Sequence, residues 1–398
     1  MPETKGALEG IKVVDASSFI AAPLASTLLG DLGASVIKLE LPGRGDVIRE
    51  HGQSKDGQPL WWKFIGRNKK SITLYLGDPQ GAAVFKKLVA DADVVIESFR
   101  PGTLQRWGLS YETLSADNPG LVMAHVTGFG QDGPLAHRPG FGTLGEALSG
   151  FVFRNGQPEG PPTLPPLGTG DSVTGCLTAY AILAALWARQ HTGVGQEIDM
   201  AIIDALLPIL EPQIAEYDQM GTVIGRLGSR SPVNSPRNLY ATADEKWVAV
   251  SASTEATAGR LLTLAGRPDL VTQPWFKTAA ARVTHGDELD EAVAKWCASL
   301  TAEEVVNACD EVGAPVSLVY SAAEIVQDEH YLARGSIVSV PDRTLGQVRM
   351  PGLPFRLSKT PGSIRWIGPD PGEHNEEVYG ALGIPDEEIE QLRQRGVI

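Results

Sequence analysis

Apolar and polar positions along the first third of the chain change their period repeatedly. Residues 11–15 and 35–40 are short Val/Ile-rich runs, and between them residues 23–32 repeat apolar positions at helical spacing, which predicts strand, helix, strand. The rhythm continues with a strand over 71–76, a helix opening at Asp78-Pro79 with Val84, Phe85, Leu88 and Val89 on its apolar face, and strands over 93–97 and 121–126. Asp before Pro starts a helix well, because the carboxylate accepts from free N–H groups and Pro removes one that would otherwise be unpaired. Runs this apolar suit parallel strands covered on both faces, so the expectation is an α/β chain with an open, doubly wound sheet whose ligand sits at strand C-terminal ends.

Two Pro/Gly-rich passages interrupt the pattern. After residues 156–170, residues 171–190 are apolar on nearly every helical face and predict a buried helix, while residues 219–237 cluster Gly, Ser and Pro and mark the main boundary. Beyond it, strands over 247–251 and 316–320 and helices over 255–265, 288–300 and 302–312 predict a compact α+β unit. Short strands and turns from residue 337 then lead to a terminal helix over 386–395 that returns toward the first domain. The expected division is 1–218, a linker and small domain over 219–335, and a returning segment over 336–398.

Composition narrows the function classes. A formal charge of -14, with no run of Lys or Arg, disfavours nucleic acid and anionic membranes as partners, although a few local cations and helix N-termini still suffice for an anionic ligand. Cys176, Cys297 and Cys309 are widely spaced in apolar helical contexts, which predicts buried free thiols rather than disulfides or a metal site. The start MPETKGALEG has no apolar signal region, and the apolar stretch near 176–188 is too short to span a bilayer. The expected compartment is the cytoplasm.

Common signatures are missing: there is no GxxxxGK[ST], HExxH, GxSxG or EF-hand loop, and Gly168-Thr-Gly-Asp-Ser-Val-Thr-Gly175 lacks dinucleotide spacing. Asp171 has two readings. It caps the helix that follows, or it is a sterically open carboxylate nucleophile that forms an anhydride with a thioester. Arg100 and Arg106, in Ser98-Phe-Arg-Pro-Gly-Thr-Leu-Gln-Arg106, follow a strand C-terminus where phosphates dock, or else form a solvated face. His125 and His137 read as structural or acid/base groups, and Trp61 and Trp62 as core or stacking aromatics.

Several segments resemble one family, the class III CoA-transferases (formyl-CoA and carnitine CoA-transferases among them) with the related 2-methylacyl-CoA racemases. They are Leu8-Glu-Gly-Ile-Lys-Val-Val-Asp15, Ala21-Ala-Pro23 leading to Leu32-Gly-Ala-Ser-Val-Ile-Lys-Leu-Glu40, and Gly45-Asp46. Asn68-Lys-Lys-Ser71, residues 97–102, Gly128-Phe-Gly-Gln-Asp-Gly-Pro134, Gly170-Asp171 and Thr192-Gly-Val-Gly-Gln-Glu-Ile-Asp-Met200 complete the set. The resemblance runs in order over nearly the whole chain. It implies a Rossmann-like large CoA-binding domain plus a small domain, in a homodimer of interlocked rings. No permanent cofactor or metal is implied; the CoA thioester is itself a substrate.

The same resemblance implies that Asp171 carries first the acyl group and then CoA. It also implies that Arg100 and Arg106 contact the CoA phosphates, with Ile20, Leu41, Leu74, Ser98 and Phe99 along the nucleotide pocket. Ile20 stands where oxalate-using members have glutamine, and Gly140-Phe141-Gly142 replaces the racemases' Gly-His-Asp. The loop Gly225-Arg-Leu-Gly-Ser-Arg230 resembles that of family members that handle C4–C6 dicarboxylates, which makes Arg226 and Arg230 candidates for a second carboxylate that guanidinium binds bidentately, the alternative being a plain surface loop. The expected reaction is CoA transfer between an acyl-CoA, succinyl-CoA among the candidates, and a carboxylic acid. A racemase and a non-catalytic CoA-binding protein are the alternatives.

Overall fold

The computed structural model describes residues 5–398, which fall into two compact units: 5–151, 164–215 and 329–398 in the first, 152–163 and 216–328 in the second. The first unit opens with β1 (Lys12–Ala16), α1 (Ala21–Asp31), β2 (Ser35–Glu40), β3 (Lys69–Thr73), α2 (Pro79–Val89), β4 (Val94–Glu97), α3 (Thr103–Arg106) and β5 (Val122–Thr127). It continues with α4 (Gly142–Leu148), α5 (Thr169–Thr192), β6 (Glu197–Ala201) and α6 (Ile202–Leu206). All six strands are parallel, in the order β3-β2-β1-β4-β5-β6.

Every residue of β4 and β5 is buried, as continuous apolar runs between two helical layers should be. Successive residues point to opposite faces. Val13, Val36, Val94, Ile96 and Val122 pack with α1 and α5, through Ala25, Leu29, Ile182 and Leu186. Val14, Leu39, Ile72, Val95 and Met123 pack on the other side with Phe85 and Leu88 of α2.

The second unit has a three-stranded antiparallel sheet of β7 (Arg237–Ala241), β8 (Trp247–Ser251) and, after α7 (Glu255–Leu264), α8 (Gly286–Cys297) and α9 (Ala302–Val312), β9 (Val316–Leu318). Its own core gathers Val248, Val250, Leu261, Leu262, Phe276, Leu289, Val293 and Val305. The chain then re-enters the first unit through the hairpin β10 (Ile337–Asp342) and β11 (Gly346–Pro351), followed by α10 (Asn375–Ala381) and α11 (Asp386–Gln394). Tyr379, Ile389, Leu392 and Ile398 complete the α2 side of the sheet, and Tyr75 N–H donates to Val397 O at 2.8 Å.

Helix α5 differs from expectation in two ways. It begins at Thr169 rather than after Gly170, with Gly168 at its N-cap, so Asp171 lies inside the first turn and does not cap it. It also buries only one stripe, from Asp171 through Thr174, Thr178, Ile182 and Ala185, while Cys176, Tyr180, Leu183 and Trp187 lie exposed on another face. Cys176 is therefore an exposed thiol, unlike buried Cys297 and Cys309. At 24 residues α5 is longer than the 176–188 stretch suggested, and by length and hydropathy alone it could cross a membrane; its buried stripe instead packs on α1 and the sheet. Gly175 permits that packing, because a Cβ there would stand 2.7 Å from Ala21 O and 2.9 Å from Leu24 Cβ.

Candidate active site

Strand order reverses between β1 and β4, and the loops leaving those two strands turn to opposite sides. The gap between them is a cleft of about 250 Å3 lined by Ser18, Phe19 and Ile20 after β1, Ser98 to Pro101 after β4, Gly128, Arg138, Gly140, Phe141 and Asp171. A second cleft of about 250 Å3 shares Ser18, Ser98 and Phe99 with it and is closed by Leu41, Gly45, Leu74, Tyr75, Leu76 and Trp107.

Buried charges fix the β1 loop. Asp15 Oδ1 accepts from Ser17 N–H at 3.1 Å and Ser17 Oγ at 2.5 Å, and its Oδ2 accepts from Lys69 Nζ at 3.0 Å. Lys38 donates to Ser17 O and lies 3.0 Å from Asp46 Oδ2, while Asp46 Oδ1 accepts from Phe19 N–H at 3.1 Å. Phe19 is thereby held at a φ of 76°, a left-handed conformation that a bulky residue keeps only when its surroundings impose it. Burial alone would raise the Asp15 pKa, yet Lys38 and Lys69, with Ser17 and Ser26, hold it far below the usual carboxylate range. Lys69 is pushed down to about 8, chiefly by burial.

The β4 end has its own clamp. Glu97 Oε2 accepts from Phe99 N–H at 2.6 Å, and Glu97 Oε1 meets His125 Nδ1 at 2.5 Å; His125 Nε2 meets Glu197 Oε1 at 3.0 Å. Burial depresses the His125 pKa, but hydrogen bonds and charge from Glu97 and Glu197 raise it overall. Ser98 Oγ accepts from Ser18 N–H at 3.0 Å and so ties the two loops together.

Asp171 projects from the first turn of α5 and is 8% exposed. Gly142 and Glu146 stand one turn apart on α4, on the face that meets this turn. A Cβ on Gly142 would lie 2.6 Å from Asp171 Oδ2, so only glycine leaves room for the carboxylate there. Glu146, 2% exposed, accepts from Gly170 N–H at 2.8 Å. Burial, followed by the Glu146 charge, pushes Asp171 up to about 6 against a hydrogen bond from the Gly142 backbone. The group is thus ionised at neutral pH and more basic than an ordinary aspartate, which suits a carboxylate nucleophile.

Of the residues singled out from sequence, Asp171, Ile20, Ser98, Phe99 and Arg100 meet in the first cleft, and Leu41 and Leu74 join Ser98 and Phe99 in the second. Arg106, on α3, lines neither; its guanidinium donates to Thr103 Oγ1 at 2.9 Å. In the second unit Arg226 donates to Gly160 O and Phe153 O, and Arg230 bonds to Asp290 and Asp287 at 2.6 Å each. His137 is exposed, His125 is sealed between two carboxylates, and Trp62 is a core aromatic whose Nε1 donates to Pro369 O. Arg138, Phe141, Gly142 and Glu146 were not anticipated as site residues, because residues 136–154 carry no sharp period; the one local signal was the departure at Gly140-Phe141-Gly142.

A buried carboxylate of raised basicity thus sits at the edge of a cleft at the switch point of a doubly wound sheet. The family model described as CoA-transferase family III matches residues 8–375. Succinyl-CoA–D-citramalate CoA-transferase of Chloroflexus aurantiacus is 42% identical over 393 residues, covering 98% of each chain. The beta subunit of succinyl-CoA–L-malate CoA-transferase from the same organism is 41% identical over 396 residues, again covering 98% of each. A solved CAIB/BAIF family protein from Brucella suis matches with a TM-score of 0.84 at 30% identity, over 95% of this chain and 100% of that one. The chain belongs to CoA-transferase family III and is an enzyme that transfers CoA between an acyl-CoA and a carboxylic acid.

Proposed function

We propose that this enzyme moves CoA from succinyl-CoA to a C4–C6 dicarboxylic acid, with Asp171 as covalent carrier. The observation that carries the reading is Asp171 itself, a carboxylate raised to about 6 at the edge of an open cleft. Its oxygen attacks the thioester carbonyl and gives a mixed anhydride plus CoA thiolate. The thiolate then attacks the Asp171 carbonyl, releasing the first acid and leaving an aspartyl-CoA thioester. The acceptor carboxylate repeats the two steps in reverse and leaves as its CoA ester. The donor and acceptor classes are drawn from relatives that handle succinyl-CoA with citramalate or malate.

CoA is a substrate here rather than a resident group. The second cleft, with Leu41, Leu74, Ser98 and Phe99, takes the nucleotide end. Exposed Arg100 and Arg106 reach its phosphates, and the Ile20 side of the first cleft takes the thioester. The first unit, 1–218 together with 336–398, serves as the CoA-binding domain and 219–335 as the small domain. Arg226 is the better candidate for the acceptor's second carboxylate: it is tied only to neutral carbonyls, whereas Arg230 already faces Asp287 and Asp290. Arg226→Ala should raise the acceptor KM and spare the donor KM; an unchanged acceptor KM rejects this role. The enzyme works as a cytoplasmic homodimer of interlocked rings, a form supported by the uncovered apolar stripe on α5.

Intact mass after incubation with succinyl-CoA and other acyl-CoAs, without acceptor, tests the mechanism. An acyl or CoA adduct on wild type, mapped to Asp171 and absent from Asp171→Asn, is the expected result. Solvent deuterium entering a 2-methylacyl-CoA without any adduct points to racemisation, and CoA binding with neither outcome points to a non-catalytic protein.

A further inference from the structure

Glu146 is unusual among the groups around Asp171. It is a buried carboxylate on α4, and the bond it accepts at 2.8 Å from Gly170 N–H ties it to the residue next to Asp171 in the turn that presents the nucleophile. The remaining charges near Asp171 are cationic: Arg100 from the loop after β4 and Arg138 from the loop after β5, with exposed His137 beside the latter. Helix α6 offers only exposed Asp204, α1 has no charge before Asp31, which pairs with Arg67, and α5 has none after Asp171 until Arg189. An amide oxygen would serve the Gly170 N–H equally well, so hydrogen bonding gives no reason for a charged group there.

We infer that Glu146 is a positioning residue for the first transfer step: its carboxylate fixes the turn that presents Asp171 and, by like-charge repulsion, favours moving negative charge off Asp171. This deepens the reading of Asp171 as nucleophile and rests on it. In that step an Asp171 Oδ electron pair forms the C–O bond to the thioester carbonyl, the C–S bond breaks, and sulfur leaves as thiolate with the bonding electrons. Charge passes from a buried oxygen beside Glu146 to sulfur, and no proton is transferred. The repulsion present before the step is relieved after it, so the interaction differs between reactant and transition state, as an accelerating interaction must.

The test is the pH dependence of single-turnover acylation by succinyl-CoA in wild type, Glu146→Gln and Glu146→Asp, read by quenched-flow intact mass. Glu146→Gln keeps an acceptor for Gly170 and removes the charge. Its acid-limb midpoint should fall by about one pH unit, and its plateau rate should fall about three- to tenfold. Glu146→Asp, with a shorter carboxylate, should lie between the two, and it serves alone should Glu146→Gln fail to fold. A folded Glu146→Gln with wild-type midpoint and rate, or a Glu146→Asp that matches wild type in both, overturns the inference. An Asp171→Asn protein that still takes up the acyl group overturns the nucleophile assignment itself. An unlabelled Asp171→Asn beside a wild-type-like Glu146→Gln leaves the nucleophile standing and removes only the role of Glu146.

Discussion

Asp171 is held in a setting that opposes its charge. Its folded pKa of about 6 lies above the ordinary 3.8, so the stability this group contributes is full below the ordinary value and is lost as pH rises through about 6. Asp171→Asn, neutral at every pH, should therefore be more stable than wild type by about 3 kcal/mol near pH 8 and no more stable near pH 4. Thermal melts across that range check this, and a variant less stable at the higher pH contradicts it. Gly142 makes a second residue-scale prediction. Gly142→Ala brings a Cβ to 2.6 Å from Asp171 Oδ2, so acylation should slow by about 100-fold while CoA binding persists. Rapid-quench acylation and a CoA titration separate the two effects. At this scale the place of Arg100 after a strand and of Asp171 at the start of a helix was legible from local pattern, while Ser98 and Phe99 came only from the family resemblance. Glu146 and Gly142 were not, because their importance comes from α4 lying against the first turn of α5, a contact no local pattern encodes.

At the scale of elements, the crossing of α1 with α5 sets the height of Asp171 over the sheet. Gly175 lies in that crossing, and Gly175→Val would force a side chain onto Ala21 O and Leu24. The expected loss is about 3 kcal/mol, with a lowered Tm and weaker acylation, since overpacked crossings separate or strain. A Tm equal to wild type would mean that the crossing adjusts freely. Five of the six strands of the large sheet were legible from short Val/Ile runs, whereas β6, Glu-Ile-Asp-Met-Ala at the sheet edge, carries no such run and was not predicted. Nor was the extent of α5: composition made every face look buried, yet only the stripe toward α1 and the sheet is covered.

The uncovered stripe belongs to the whole molecule. Tyr180, 69% exposed, and Trp187, 64% exposed, stand two turns apart on α5, together with Leu183. Large aromatics in water at this spacing call for a covering surface, which in the proposed assembly is a second copy of the chain. Wild type should elute with twice the chain mass by light scattering, and Trp187→Glu should shift it toward a single chain; a wild-type monomer rejects the dimer. The sequence by itself determined the parallel α/β character of the first unit and the placement of Asp171 at the start of a long apolar helix, because hydrophobic period and turn residues are local properties. The tertiary structure alone decided the strand order with its reversal between β1 and β4, the strained loop at Phe19 and the bond that ties Glu146 to the turn carrying Asp171. Those features arise when distant segments share one buried space, where desolvation and close-range charge outweigh any local preference.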